Sequence, residues 1–194
     1  MHRNSFRPYL LLIGTSLLSL LAVPSIAPRA KDAREVRIAS QQVESFSVIG
    51  IAARTSNARE EGPDGIIPKQ WQRFFQEGVR DQIPHRIGKD IYAVYTTYAS
   101  DHNGEYTYLL GVKVEHGTAP PAGMVAVDVP AGSYAVLTSD KGPLRQVVPA
   151  AWKRIFQLED GGKIRRAYRS DFEVYDQRSA NPEDAQIDIF LGVK

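Results

Sequence analysis

The stretch that decides the fold is Pro68-Lys69-Gln70-Trp71-Gln72-Arg73-Phe74-Phe75, because it returns later in the chain as Pro149-Ala150-Ala151-Trp152-Lys153-Arg154-Ile155-Phe156. Three shorter pairs of segments repeat in the same order. They are residues 92–95 with 172–175, residues 110–113 with 191–194 and, more weakly, residues 45–48 with 133–136. An internal duplication predicts a pseudo-symmetric domain, and small-molecule sites tend to lie at the boundary between two such units.

The first copy has the pattern of a strand, a helix and two further strands. Residues 46–53 are apolar and β-branched, which is typical of a buried strand. Apolar residues then recur at helical spacing between Pro68, which suits a first helical turn, and Pro84, which ends the run. Residues 91–99 and 105–115 alternate as strands around an Asn-Gly turn.

The second copy follows the same plan, with strands at 133–139, 171–175 and 186–193 and a helix over 143–158. Each unit alone would leave one sheet face bare, so the two must pack as one domain. The sequence therefore predicts an α+β fold over residues 43–194. We expect a tandem strand–helix–strand–strand repeat with antiparallel sheets, two helices and a pseudo-twofold axis, its half-repeats spanning about 43–115 and 124–194.

The N-terminus has the composition of a targeting segment. Residues 1–27 begin with Arg3 and Arg7, continue as an apolar run and end in small residues. This pattern predicts a signal peptide cleaved after Ser25 or Ala27, or a retained N-terminal anchor. Residues 28–42 are predicted to form a linker or a lead-in strand. We expect an exported protein, periplasmic or membrane-anchored outside the cytoplasm, whose N-terminal segment engages the membrane or the secretion machinery.

Charge and residue usage exclude several function classes. The net charge of +2 lies in the leader, since without Arg3 and Arg7 the remaining 22 basic residues equal the 22 acidic ones. That balance gives no support to nucleic-acid binding. The absence of cysteine excludes disulfides, thiol nucleophiles and thiolate metal ligands. The four histidines show no metal-binding spacing, so neither a metal site nor a cofactor is expected.

The copies differ at one informative position, where Glu173 replaces Ala93. Strand alternation places Glu173 and Tyr175 on one face, with Ala93 and Tyr95 on the matching face of the related strand. A carboxylate among aromatic rings is suited to binding an organic cation. The alternative is an ordinary glutamate on a solvated strand face.

Four segments together resemble a known family. They are Tyr98-Ala99-Ser100-Asp101-His102-Asn103-Gly104-Glu105-Tyr106, Val129-Pro130-Ala131-Gly132-Ser133-Tyr134-Ala135-Val136, Ala151-Trp152 and Asp171-Phe172-Glu173-Val174-Tyr175. In this order they resemble the GyrI-like small-molecule-binding family, the effector-binding domain of AraC- and MerR-type regulators, and above all its stand-alone, integron-associated branch.

The resemblance implies a tandem-repeat fold and a cleft between the halves for amphipathic, often cationic, organic molecules. It implies that Glu173 contacts the cation, with Tyr95, Tyr108, Tyr175 and Trp71 as candidates for the aromatic lining. No DNA-binding domain is recognised, so direct nucleic-acid binding is not expected. The pattern does not indicate an oligomeric state.

Two other functions stay open at this point. Some relatives hydrolyse strained toxic natural products, and here Glu173 or Glu105 would guide water or protonate a leaving group. The chain offers no activated nucleophile, so such catalysis would depend on positioning and a single acid. The other alternative is an interaction domain at the cell envelope that keeps the fold and binds no ligand.

Overall fold

Both copies of the repeat contribute strands to one antiparallel sheet. A computed structural model describes residues 38–194, which fall within one compact unit. The first copy supplies β1 (Ile38–Val43), β2 (Phe46–Ser56), α1 (Asn57–Glu60), α2 (Ile67–Gln76), α3 (Val79–Gln82), β3 (Ile91–Thr96) and β4 (Glu105–Val114). The second supplies β5 (Val125–Val129), β6 (Gly132–Thr138), α4 (Leu144–Asp160), β7 (Arg166–Tyr175), a 3-10 turn (Gln177–Ser179) and β8 (Asp188–Val193).

The strand order carries the pseudo-twofold symmetry. The sheet runs β1-β6-β8-β7-β3-β4-β2-β5 with every pair antiparallel, and exchanging each strand for its counterpart in the other copy reverses that order. The first strand of each copy pairs with the other copy, and β3 meets β7 at the centre. Ala93 lies directly opposite Glu173 in that central pair. The predicted α+β tandem repeat is confirmed, and its strands form a single eight-stranded sheet.

The strand β1 lies mostly inside the range predicted to be a linker or a lead-in strand. It begins at Ile38 and pairs with β6 through Val43. The predicted targeting segment, residues 1–27, lies outside the described residues. Within residues 38–194, no helix is both long and apolar enough to cross a membrane.

Helix α2 is shorter than the helical run predicted between Pro68 and Pro84. It ends at Gln76, and the chain turns at Gly78 before the short helix α3. Gly78 adopts a left-handed conformation with φ of 58°, which a residue without a β-carbon tolerates best. Helical spacing alone did not reveal this break, because Val79 keeps the apolar pattern in phase.

The helices cover one face of the sheet, and this face holds the larger core. Ile49, Tyr108, Leu110 and Ile189 point from the strands into that core and are buried. A second apolar cluster, which includes Phe172, lies on the opposite face. Because side chains alternate along a strand, the odd-numbered residues of β7 from Asp171 onward face the helices. This register places Glu173 beneath the helices at the centre of the molecule.

Candidate functional site

The side chain of Glu173 is the chemical centre of the site. Only 1% of the residue is exposed to solvent. Its Oε1 accepts hydrogen bonds from the Tyr95 hydroxyl at 2.9 Å and from the Trp152 indole nitrogen at 2.5 Å. Its Oε2 accepts a hydrogen bond from the Tyr175 hydroxyl at 2.7 Å. Three neutral donors therefore hold the carboxylate from strands β3 and β7 and from helix α4.

No basic side chain within residues 38–194 compensates the charge of this carboxylate. Among the described residues, Glu173 forms no ion pair with a basic side chain. Burial raises the pKa of Glu173, and the hydrogen bonds from Trp152, Tyr175 and Tyr95 act against that rise. Burial and then the charge of Glu173 raise the pKa of Tyr95 and of Tyr175, so both phenols keep their protons. A cation brought close to Glu173 would stabilise its ionised form.

A cavity of about 590 Å³ lies beside this centre, on the helix side of the sheet. One wall is helix α4, through Val148, Pro149, Trp152 and Phe156. Pro149, the repeat counterpart of Pro68, lies inside α4 because this helix begins five residues earlier, at Leu144. The position therefore lacks one backbone hydrogen bond of the helix.

The opposite wall is formed by α1 and the start of α2. Ile67 and Pro68, the repeat counterparts of the α4 residues Val148 and Pro149, line the cavity from this side. Glu60 also lines it, but both of its oxygens accept hydrogen bonds from the backbone of Ile66 at 3.0 Å. Glu60 therefore satisfies the first N–H groups around the start of α2, which lacks a side-chain cap at Ile66 itself.

Tyr95 and Trp152 connect the cavity to the carboxylate. Both side chains line the cavity, both donate to Glu173 Oε1, and their rings lie 4.9 Å apart at an angle of 59°. Glu173 itself does not line the cavity. The negative charge therefore lies at the polar edges of two aromatic side chains that line the cavity. This arrangement attracts a cation to the ring faces through both the ring quadrupoles and the buried charge.

The other predicted ligand residues lie near the carboxylate and outside the cavity lining. Tyr175 packs edge-on against Trp71, with ring centroids 4.7 Å apart. Tyr108 is fully buried and packs against Tyr95 at 5.3 Å. None of Tyr175, Trp71 and Tyr108 lines the cavity. The structure thus brings all five predicted residues together around one centre, and their roles in binding stay predictions.

Glu105, named in the hydrolase alternative, lies elsewhere. Its side chain is 67% exposed and pairs with Arg54 at 3.5 Å on the sheet surface. It does not line the cavity.

Sequence reasoning missed several residues of the cavity, among them Trp152, Tyr98, His102, Tyr106, Phe156 and Arg166. Phe156 belongs to the repeated stretch, so its helical phase relative to Trp152 was an available signal. No sequence signal pointed to Arg166, because an irregularity in β7 between Arg166 and Asp171 breaks the strand alternation that would have assigned its side chain to one face of the sheet. Tyr168, inside that irregularity, has a φ of 53°. A β-bulge commonly redirects side chains in this way.

The fold and the site together define a class of protein, the α+β effector-binding domains. Residues 41–193 match the model of one family in this class, described as "Integron-associated effector binding protein". The match covers most of the chain, and the chain belongs to this family.

Two curated relatives agree with this assignment. The chain is 34% identical over 146 residues to YobU of Bacillus subtilis, which carries the name of a transcriptional regulator; the match covers 75% of this chain and 90% of YobU. It is also 34% identical over 155 residues to the transcriptional regulator BrlR of Pseudomonas aeruginosa. That match covers 77% of this chain and 52% of BrlR, so the chain spans about half the length of that regulator.

Two solved structures share the fold. One is an integron cassette protein from the mobile metagenome of Vibrio cholerae, with a TM-score of 0.64 at 23% identity, covering 81% of this chain and 95% of that one. The other is SAV2435, solved with tetraphenylphosphonium bound, with a TM-score of 0.66 at 20% identity, covering 81% of this chain and 94% of that one.

Proposed function

We propose that this chain is exported and that its effector-binding domain binds amphipathic organic cations in the 590 Å³ cavity. The observation that carries the proposal is the buried and uncompensated charge of Glu173. Its carboxylate is buried, has no basic partner among the described residues, and accepts hydrogen bonds from Tyr95 and Trp152, two of the aromatic residues that line the cavity. A bound cation would supply the missing positive charge.

The cavity walls favour a ligand with a large apolar body. Aromatic and aliphatic side chains, among them Tyr95, Trp152, Phe156, Ile67 and Val148, form much of the lining. Flat or branched aromatic cations would bury apolar surface against these walls while the cationic centre lies on the rings in front of Glu173. The tetraphenylphosphonium bound by SAV2435 has this chemistry and is therefore the natural first probe.

A pair of ions with one shape and opposite charges tests the proposal. Tetraphenylphosphonium should raise the melting temperature of the purified protein, because it binds the folded state only. Tetraphenylborate, its anionic analogue, should not. Glu173→Gln keeps an acceptor for the neighbouring donors and removes the charge, so it should abolish most of the tetraphenylphosphonium shift. Equal shifts with both ions, or an unchanged affinity in Glu173→Gln, would contradict the electrostatic part of the proposal.

The exported location rests on the basic residues Arg3 and Arg7 and on the apolar run that follows them. Export would place the binding domain where it meets amphipathic compounds before they enter the cytoplasm, as a scavenger or a sensor. Fractionation of cells that express the tagged full chain tests this location. Recovery in the cytoplasmic fraction would rule it out, and the mass of the exported protein would distinguish a cleaved leader from a retained anchor.

A further inference from the structure

The imidazole of His102 lies at the far end of a row of rings that leads from Glu173 along the cavity wall. Tyr95 and Trp152, which both donate to Glu173 Oε1, have ring centroids 4.9 Å apart. The Phe156 ring follows at 5.9 Å from Trp152, and the His102 ring follows at 5.3 Å from Phe156. All four of these side chains line the cavity. A ligand that lies along this row with its cationic centre near Glu173 would therefore bring its other end to His102.

Two oxygen atoms face one nitrogen of the imidazole. His102 Nδ1 lies 3.3 Å from the Tyr168 hydroxyl and 3.7 Å from Glu159 Oε2. The Tyr168 hydroxyl uses its proton to donate to Glu159 Oε1 at 2.7 Å, and the Glu159 carboxylate has no proton to give. Neither oxygen can therefore donate to Nδ1. The network assigns the proton of the neutral ring to Nδ1 and leaves the lone pair on Nε2.

The Nε2 atom is the open side of the ring. Tyr168 and Glu159, which face Nδ1, do not line the cavity, so the side of the ring that borders the cavity is the one that carries Nε2. The His102 side chain is 28% exposed. Within residues 38–194, Nε2 has no hydrogen-bond partner, and unlike Glu159 Oε2 it is not fully buried. A ligand that covers Nε2 without donating to it would remove this acceptor from water and leave it unpaired, which costs free energy.

The backbone of His102 is also held in place. The residue lies in the turn between β3 and β4, and its carbonyl oxygen accepts a hydrogen bond from Asn57 Nδ2 at 2.7 Å. Asn57 Oδ1 accepts a hydrogen bond from the Tyr106 hydroxyl at 3.1 Å. Because Asn57 is the first residue of α1, its side chain connects the turn to the opposite wall of the cavity. An acceptor fixed in this way loses little conformational freedom when a ligand binds.

The charge of the imidazole decides which ligand group it can bind. Histidine is the side chain that ordinarily gains a proton between about pH 8 and pH 5. Protonation turns Nε2 from an acceptor into a donor, while Nδ1–H keeps its neighbours. The titratable and charged groups around the ring are Glu159 of α4 with Arg166 of β7 behind it, Tyr168 of β7, and Asp101 beside it in the turn. The neighbour from α1 is the uncharged Asn57.

We propose that His102 is a specificity-determining residue of the cavity, whose Nε2 accepts a hydrogen bond from an O–H or N–H group of the ligand. The inference rests on the proposed function. It narrows the ligand class to amphipathic organic cations that carry a hydroxyl, amide or amine donor away from the charged centre. The cation would lie at the rings of Tyr95 and Trp152, and the donor would lie at His102.

Three phosphonium probes of similar size test the inference. Each carries three phenyl groups and a fourth ring substituted at its 4-position with methyl, hydroxymethyl or acetyl, so only the hydroxymethyl probe offers a donor. Calorimetric titration of the full chain at about pH 8 should show this probe binding about fivefold more tightly than the acetyl and methyl probes, as one neutral hydrogen bond requires.

The same titration at about pH 5 reports whether an imidazole makes the distinction. The imidazolium can donate to the oxygen of either polar probe, so the ratio of hydroxymethyl to acetyl affinity should fall to about one. The titration of Glu173 acts on the same cationic centre in all the probes and therefore leaves this ratio unchanged.

A matched pair of variants assigns the preference to this side chain. His102→Phe keeps a ring against Phe156 and removes both nitrogens, so the ratio of hydroxymethyl to acetyl affinity should be about one at both pH values. His116→Phe makes the same change at an exposed histidine outside the cavity lining and should leave the ratio at about five at the higher pH. If His102→Phe does not fold, the pH dependence of the ratio in the unaltered protein decides the question.

The outcomes separate the two levels of the proposal. Equal affinities for the hydroxymethyl and acetyl probes at the higher pH in the unaltered protein would overturn the role of His102 while leaving cation binding supported. A ratio that does not change with pH, that persists in His102→Phe, or that is lost in His116→Phe would also overturn it. Failure of all three probes to bind would instead count against the proposed function.

Discussion

The two repeated tryptophans occupy equivalent places in the fold and have different surroundings. Trp152 donates to Glu173 and lines the cavity. Trp71 packs against Tyr175 at 4.7 Å and against the exposed ring of Phe75 at 5.9 Å, and it does not line the cavity. The duplication supplies the same helix and the same indole twice. Only Trp152 donates a hydrogen bond to a carboxylate, because the central strand β7 beneath it carries Glu173.

The difference depends on a pair of residues at the pseudo-twofold axis. Ala93 and Glu173 are counterparts in the repeat and also direct partners across β3 and β7. Tyr95 and Tyr175, which flank them as counterparts, both donate to the single carboxylate. A symmetric scaffold thus directs two equivalent hydroxyl groups at one asymmetric charge. The replacement of Ala93 by Glu173 in the second copy therefore places one charge at the centre of an otherwise symmetric pair of strands.

Restoring the symmetry should have the largest effect. Ala93→Glu places a second buried carboxylate beside Glu173, with no cation to compensate it, and adds volume at a position with no exposed surface. We expect a loss of about 3–5 kcal/mol in the free energy of unfolding at neutral pH, measured by urea denaturation.

Moving the charge provides the control. The double variant Ala93→Glu with Glu173→Ala carries one carboxylate on the Trp71 side, where Tyr95 and Tyr175 remain as donors. It should recover part of the lost stability. A single variant as stable as the unaltered protein would show that the centre accommodates two carboxylates and that the asymmetry has another cause.

The duplication made the fold predictable. Strand alternation in two related segments also placed Glu173, Tyr95 and Tyr175 on one face, and in the structure they share hydrogen bonds. These inferences use only local spacing and the equivalence of the copies. The break at Gly78 escaped them because a single left-handed residue leaves the helical phase of its neighbours unchanged.

The cavity was less predictable, because its walls come from segments far apart in the chain. The indole of Trp152 reaches Glu173 only through the packing of α4 on the sheet, which no spacing in the sequence reports. Arg166 reaches the cavity next to the irregularity in β7 that contains Tyr168. The repeat singled out Trp152 as the counterpart of Trp71 but could not distinguish their roles, because Glu173 lies beneath only one of them.

The two indoles offer the next comparison. Trp152→Phe removes a hydrogen bond to a buried charge and should cost about 1.5–3 kcal/mol of stability. Trp71→Phe removes no hydrogen bond to Glu173 and should cost less than about 1.5 kcal/mol. Tetraphenylphosphonium affinity should fall in Trp152→Phe and hold in Trp71→Phe. Equal losses of stability and affinity in the two variants would mean that the copies are functionally equivalent.

The pH dependence of stability isolates the buried charge. The pKa of Glu173 is raised above its ordinary value of 4.5, so the folded state favours the protonated carboxyl group. The contribution of this group to the free energy of unfolding is fully present below pH 4.5 and is lost as the pH rises through the folded-state pKa. Each unit of the rise corresponds to about 1.4 kcal/mol. Glu173→Gln should therefore gain stability relative to the unaltered protein over this interval, as chemical denaturation from pH 4 to pH 8 would measure.

The same titration has the opposite consequence for the ligand. A cation favours the ionised carboxylate, so tetraphenylphosphonium affinity should rise with pH over the interval in which stability falls, and binding should release protons. In Glu173→Gln both profiles should become flatter. A stability difference that does not change with pH would mean that Glu173 keeps one protonation state throughout.

The smallest expected effect comes from the paired tyrosines, and it separates structure from binding most sharply. Tyr95→Phe and Tyr175→Phe each remove one hydroxyl donor from Glu173, at 2.9 Å and 2.7 Å, so both should lose a similar amount of stability, about 1–2 kcal/mol. Only Tyr95 lines the cavity. Loss of its hydroxyl alters the ring that faces the ligand, whereas loss of the Tyr175 hydroxyl alters only the far oxygen of the carboxylate. Tetraphenylphosphonium affinity, measured by calorimetry, should therefore fall further in Tyr95→Phe. An equal fall in affinity in both variants would mean that the ligand contacts the Glu173 carboxylate directly, rather than the rings of Tyr95 and Trp152.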